Sequence, residues 1–174
     1  LDEARQSILL AGNVIGKQRN VYPLYLATHL LGVFLVDLEL IKAAKTSNDG
    51  LKLQDLIRNA NRSGKAALGN SRKYAPYRTW ILRVMGEYYW LVGKQRKAFQ
   101  WFDKSIKEGE RLGARPDLSR TYMEVGKRLL EPQSKFKELN GISAPEYLNK
   151  AETLFREMDL QWDLEQLERL RVGG

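Results

Sequence analysis

Side chains able to do chemistry are scarce in this chain. Its one histidine, His29, lies in the apolar run from Leu26 to Val36. It is too isolated for a metal site or a Ser-His-Asp relay, which need further ligands or a carboxylate partner, and it reads as a helix-packed or groove-lining residue. The absence of cysteine removes disulfides, thiolate nucleophiles and sulfur-ligated metals, and argues against a secreted disulfide scaffold. The stretch Gly12 to Gln18 imitates a phosphate loop. Yet it has three residues between its glycines instead of four, Gln18 where Ser or Thr is needed, and no strand before it. Asn61-Arg62-Ser63 fits a glycosylation sequon but lacks a signal peptide to bring it to the enzyme. The acid pairs Glu108 with Glu110 and Glu165 with Glu168 fall on faces expected to be exposed, with no partner to shift a pKa. No catalytic residue, metal or cofactor is expected, and binding remains as the role to examine.

The elements that would position binding residues emerge from a recurring pattern of small residues. Around Gly86 stand Leu82, Met85 and Tyr89, and then Ala98, Phe102 and Ser105 at offsets of +12, +16 and +19. This suits a helix, a turn at Gly93 and a second helix, with small residues where the backbones approach. The frame fits again around Gly126, preceded by Tyr122 and Val125. Ala144, Leu148 and Ala151 then take the places of Ala98, Phe102 and Ser105 after an insertion punctuated by Pro132, Gly141 and Pro145. Upstream, Gly32 matches Gly86, and Ala4, Ile8 and Ala11 match the second helix of a preceding repeat. The separation from Ala11 to Gly32 equals that from Ser105 to Gly126. Between them lies an irregular repeat with Ala60, Gly64 and Ala67 in the small positions.

Helices are predicted near 2–17, 23–45, 51–68, 76–92, 95–112, 117–130, 144–158 and 161–171, with Pro23, Pro76, Asp117 and Asp163 marking starts. No segment sustains apolar-polar alternation, so the chain is expected to be all-α. A length of 174 residues allows one domain of about four helix pairs. The hydrophobic share of 43% with 29% charged residues is that of a folded soluble protein. The most apolar stretch, Leu24 to Val36, falls short of the roughly 20 residues a membrane span needs, so no membrane contact is expected and a reducing cytoplasm is the predicted setting. The chain opens on Leu1-Asp2-Glu3-Ala4 without an initiator Met, which suggests an excised piece whose first helix would be covered by upstream helices. The net charge of +8 is uneven: residues 1–57 are balanced, 58–128 carry +11 and 131–171 carry −3. Such a basic middle could steer an acidic protein or nucleic acid, or could simply be the solvated faces of helices.

A first-helix Gly, an aromatic three residues on, and then Ala and Phe on the second helix, as in Gly86, Tyr89, Ala98 and Phe102, resemble the tetratricopeptide repeat. The 40 residues from Gly86 to Gly126 exceed the usual repeat of about 34, as in the longer-helix variant of large bacterial regulators. Residues 76–171, above all the run from Gly109 to Tyr122, resemble the C-terminal end of bacterial multidomain adenylate or guanylate cyclases with a signalling ATPase module. The resemblance implies a right-handed α-solenoid of antiparallel helix hairpins, about eight helices in one domain over 1–174. Residues 1–17 would be the second helix of a truncated repeat, 23–69 an irregular repeat, 76–113 a repeat, 117–159 a repeat with a loop insertion at 131–143, and 161–171 a capping helix. It also implies a non-catalytic module that binds a protein or peptide segment, in trans or from its own upstream domains.

In such a solenoid the first helix of each pair lines the concave face. The frame then gives Trp80, Arg83, Glu87 and Trp90, with Arg120, Met123, Lys127 and Leu130 on the next helix, and His29, Val33 and Val36 upstream. Aromatic and Arg residues make good anchors, but Trp80 and Trp90 equally suit core packing, and Arg83 with Glu87 equally suits an i,i+4 pair of reversed polarity. Glu87 stands where the chaperone-tail clamp has Asn, which argues against a C-terminal carboxylate ligand. Two alternatives stay open: a helical-repeat sensor of a small ligand or signal peptide, and a basic nucleic-acid binder, which lacks a defined recognition helix with exposed aromatics.

Overall fold

The computed structural model describes residues 2–16, 23–47 and 50–172. Within them eight α-helices follow in order: α1 Asp2–Gly16, α2 Pro23–Thr46, α3 Gly50–Ser71, α4 Arg78–Leu91, α5 Gln95–Leu112, α6 Arg115–Leu130, α7 Ala144–Glu157 and α8 Gln161–Val172. A short 3-10 turn at Ala75–Tyr77 leads into α4. The fold is all-α, as expected, and the helix boundaries fall within a few residues of those predicted. The predicted end of the first helix at Lys17 lies outside the described residues, as do Asn48 and Asp49 before the third.

Two boundaries differ for a local reason. Pro76 falls in the 3-10 turn, so α4 begins only at Arg78. The start of α6 lies at Arg115 rather than Asp117. Gly113, at φ 62, closes α5 in the left-handed region, and Pro116 then occupies the first turn of α6, where its missing N–H leaves nothing unpaired.

Within the insertion, Glu138–Leu139 pairs antiparallel with Ile142–Ser143, a hairpin whose two-residue strands are too short to show as apolar-polar alternation in the sequence. Asn140 and Gly141 both have positive φ, 54 and 72, which is the tight two-residue turn that an Asn-Gly dipeptide favours. The hairpin delivers Ser143 to the head of α7, where the Glu146 carboxylate accepts from the Ser143 backbone N–H at 2.7 Å and from its hydroxyl at 2.6 Å.

Each of α2, α4 and α6 packs most extensively on the helix that follows it, and α5 on α6 joins successive pairs. The glycine pattern explains how closely they pack. A Cβ at Gly86 would lie 2.3 Å from the Phe102 ring, and one at Gly126 would lie 2.5 Å from Leu148. These are the equivalent residues of the repeat frame, so the same close approach recurs in α4/α5 and α6/α7. In α2/α3 the roles reverse, with Gly64 on the second helix receiving Phe34 from the first. Ser105 fastens α5 to both neighbours, donating to the Thr79 carbonyl at 2.9 Å and sharing a hydrogen bond with Thr121 at 2.9 Å.

Two apolar clusters form the core. One spans α4 to α8 around Phe102, Tyr147 and Phe155. The other joins α2, α3 and α4 around Phe34, Ile41 and Ile81. From Leu24 to Thr46, α2 is long and apolar enough by length and composition to cross a bilayer, so the shorter run read from sequence understates it. Here it buries Leu31, Phe34, Leu38 and Ile41 against its neighbours.

Candidate partner-binding face

The helices that would carry a partner, α2, α4, α6 and α8, touch in that order, skipping the helix between. Residues three and four apart share one side of a helix, so Trp80, Arg83, Glu87 and Trp90 run along α4, and Arg120, Met123, Lys127 and Leu130 along α6.

A ladder of buried charge joins these rows. Arg83 donates to Glu87 one turn on at 2.7 Å, with each side chain only 15% exposed. On α6, Arg128 donates to Glu124 at 2.7 Å and also to Glu131. Trp90 reaches the same Glu131 with its indole N–H at 3.0 Å, beneath the Arg128 guanidinium 5.5 Å from its ring. Arg120 clasps Asp163 at the start of α8 through two bonds of 2.9 and 2.8 Å, and Asp163 is buried.

The electrostatics follow from that crowding. Burial, and then the charge on Glu124, push the Glu87 carboxyl above its ordinary value despite Arg83 and Arg128. Burial also acts upward on Glu124, but Arg128, Lys127 and Arg83 outweigh it and hold that carboxyl low. Asp117 is raised by burial, with Arg83 and Arg120 pulling the other way. One donor is left over, since Arg83 Nε is buried without an acceptor.

The anticipated residues therefore divide. Trp90 is buried in the core, and Arg83, Glu87 and Arg120 are tied to partners within the chain. Lys127 is exposed, while Met123, Trp80 and His29 are half-buried. Trp80 stacks on Tyr77 at 6.1 Å. His29 lies apart from the rest, between α1 and α2, on the wall of a groove of about 870 Å³ that includes Ile8, Ile15, Tyr25 and Tyr77. Its Nδ1 is buried without a partner. With Val33 and Val36 it also borders a neighbouring pocket of about 320 Å³.

Sequence reading missed Glu124, Arg128, Glu131 and Asp163 as members of this network. The i,i+4 spacing of Glu124 and Arg128 was a visible sign, but Asp163 and Glu131 act across helices. A second correction concerns Glu108, expected to be exposed and unpartnered. Its side chain is 15% exposed and is bonded by Arg78 and Arg111. Those bonds, Arg111 foremost, hold its carboxyl at about 2. Glu110 is exposed but accepts the Tyr122 hydroxyl at 3.1 Å.

No group of His, Asp and Glu that could hold a metal occurs among the described residues. In comparison with known proteins, no family model, no curated sequence and no solved structure matches the chain.

Proposed function

We propose that this chain is a protein-interaction module of the tetratricopeptide type, its helix hairpins stacked into a right-handed solenoid. By the resemblance of residues 76–171, it is a regulatory segment of a larger signalling protein of the cyclase and ATPase kind. The observation that carries this reading is the repeated contact of Gly86 with Phe102 and of Gly126 with Leu148. Two successive pairs built on one close approach, with α2, α4, α6 and α8 touching in that order, are what stacked repeats require.

The partner is a protein or peptide segment lying across α4 and α6, held by Trp80, Met123 and Lys127, which keep accessible surface. The test is site-specific photo-crosslinking in extracts of the source cells. A crosslinker at Met123 should trap a discrete band, and one at Ala66, on the exposed side of α3, should not. Equal trapping from both positions, or none from Met123, would count against this face.

A second reading, a sensor of a small ligand, draws on the apolar groove beside His29. It predicts that a hydrophobic dye bound there is displaced after His29→Trp fills the groove, with melting temperature unchanged.

A further inference from the structure

The excess positive charge of the middle region is not spread evenly over the structure. Eight of the seventeen cations between 58 and 128 are ion-paired, among them Arg78, Arg83, Arg120 and Arg128. Of the nine that form no ion pair among the described residues, Lys94 stands just before α5 and Arg96, Lys97 and Lys104 lie along the helix as far as its middle.

Three of them, Lys94, Arg96 and Lys97, border a pocket of about 420 Å³, completed by Lys135 and Phe136 from the insertion. Gln95 fixes that insertion in place: its amide donates to the Gln133 carbonyl at 2.8 Å, and its oxygen accepts the Lys135 backbone N–H at 2.9 Å. Phe136 is anchored against Phe99, ring to ring at 4.9 Å. Two acids of the neighbouring segments are already engaged. Glu131 takes Arg128, Trp90 and Gln133, and Asp103 takes Lys107 and Asn140. No acid stands in the first turn of α5, so these cations crowd the helix end that itself favours negative charge. Four like charges with an apolar floor and no counter-ion of their own are complementary to an anion that carries an apolar group.

We propose that this pocket and the adjoining side of α5 bind an acidic segment of a protein partner, with carboxylates on Lys94, Arg96, Lys97 and Lys135 and an apolar side chain on Phe136. This surface is separate from the α4 and α6 face and does not depend on it.

Two observations favour an acidic peptide over nucleic acid. The unpaired charge runs only from Lys94 to Lys104, about 15 Å of helix, with Asp103 inside the run and Glu108 and Glu110 after it, too short for a continuous phosphate track. The aromatic faces nearby are also covered. Tyr89 and Trp101 stack on each other at 6.2 Å, with Lys97 over the first ring and Lys104 over the second at 4.3 Å. Phe136 is the exception, and one open ring is fewer than the succession of stacking platforms that single-stranded nucleic acid uses.

The test is fluorescence anisotropy with a labelled short peptide of glutamates around one phenylalanine. Saturable binding at low salt is expected, weakened about tenfold by Arg96→Glu with Lys97→Glu, while Arg62→Glu with Lys65→Glu, the same charge change on α3, alters it less than about twofold. Equal weakening by the two doubles, no binding at low salt, or tighter binding of a duplex DNA oligomer with a steep salt dependence would overturn the proposal. Far-UV circular dichroism checks that each variant is folded. Should the first double unfold, Lys94→Gln with Lys135→Gln reads the same pocket.

Discussion

Substituting Gly86 by Ala tests whether the close approach of α4 and α5 is as tight as the geometry states. The added Cβ would meet three Phe102 ring carbons between 2.3 and 2.9 Å away. Ordinary carbon contacts lie at about 3.5–4.0 Å, so something must move by about an ångström. Phe102 has no exposed surface and is braced by Phe99 at 6.0 Å. Overpacking of this kind costs about 1–3 kcal/mol, and the helix-propensity gain of Ala over Gly returns about 1 kcal/mol. With a rigid, buried ring as the obstacle the upper end applies, for a net loss of about 1–2 kcal/mol. Gly69→Ala on α3 is the control, because nothing lies within 4 Å of its Cβ. It should stabilise by about 0.5–1 kcal/mol. Urea unfolding followed by tryptophan fluorescence and far-UV circular dichroism reads both, and in a chain of this size each kcal/mol moves the melting temperature by about 2–4 °C. Adding Phe102→Leu to Gly86→Ala should recover about 1 kcal/mol beyond additivity, since the ring is what the methyl strikes. Gly86→Ala behaving like Gly69→Ala, or a strictly additive double variant, would refute the reasoning.

Three further outcomes follow from the charge network. The Glu108 carboxyl, held at about 2 by Arg111 and Arg78, supplies stability that is present above the ordinary carboxylate range and lost as pH falls towards 2. Glu108→Gln should therefore cost about 1–2 kcal/mol at neutral pH, the full lowering of its carboxyl being discounted for the solvent around Arg111. That cost should vanish near pH 2 in unfolding curves taken across the range. Glu87 has the opposite sign: its raised pKa means that the charged form strains the fold, so stability is lost as pH rises through the folded value. Glu87→Gln should gain on the parent protein between pH 4 and pH 8, and a growing deficit over that range would disprove the sign. Arg120→Ala strands the buried Asp163 carboxylate at a cost of about 2–3 kcal/mol. Hydrogen exchange should then find α8 opening before the rest, an outcome that uniform loosening would contradict.

Much of the backbone was legible because its signals are local. The spacing of Gly86, Ala98 and Phe102 records a contact within one helix pair, and Gly93 and Gly113 mark where α4 and α5 end. The hairpin at Asn140-Gly141 was equally local but shows no alternation, since each strand is only two residues. The candidate site was less legible for a different reason. Identity and spacing put Arg83, Glu87, Arg120 and Trp90 on the right helices, but what each does depends on Glu124, Glu131 and Asp163, which come from other helices. Pairing across elements leaves no periodic trace. Glu108 looked like a solvated acid for two reasons: its foremost partner Arg111, three residues on along α5, was a local sign passed over, and Arg78, thirty residues earlier, closes over it from another helix.

That internal pairing bears on how the α4 and α6 face can bind. Breaking Arg83 from Glu87 or Arg120 from Asp163 to engage a ligand would leave a largely buried charge uncompensated, a loss of several kcal/mol. A partner that needed those charges would have to replace each bond in kind. A partner seated instead on Met123, Trp80 and the stem of Lys127 would disturb none of them and would gain from the area covered. Recognition on this face is then chiefly apolar, with Lys127 as its exposed cation on α6. Charge-led recognition is what we propose for the start of α5, where Lys94, Arg96 and Lys97 form no ion pair among the described residues.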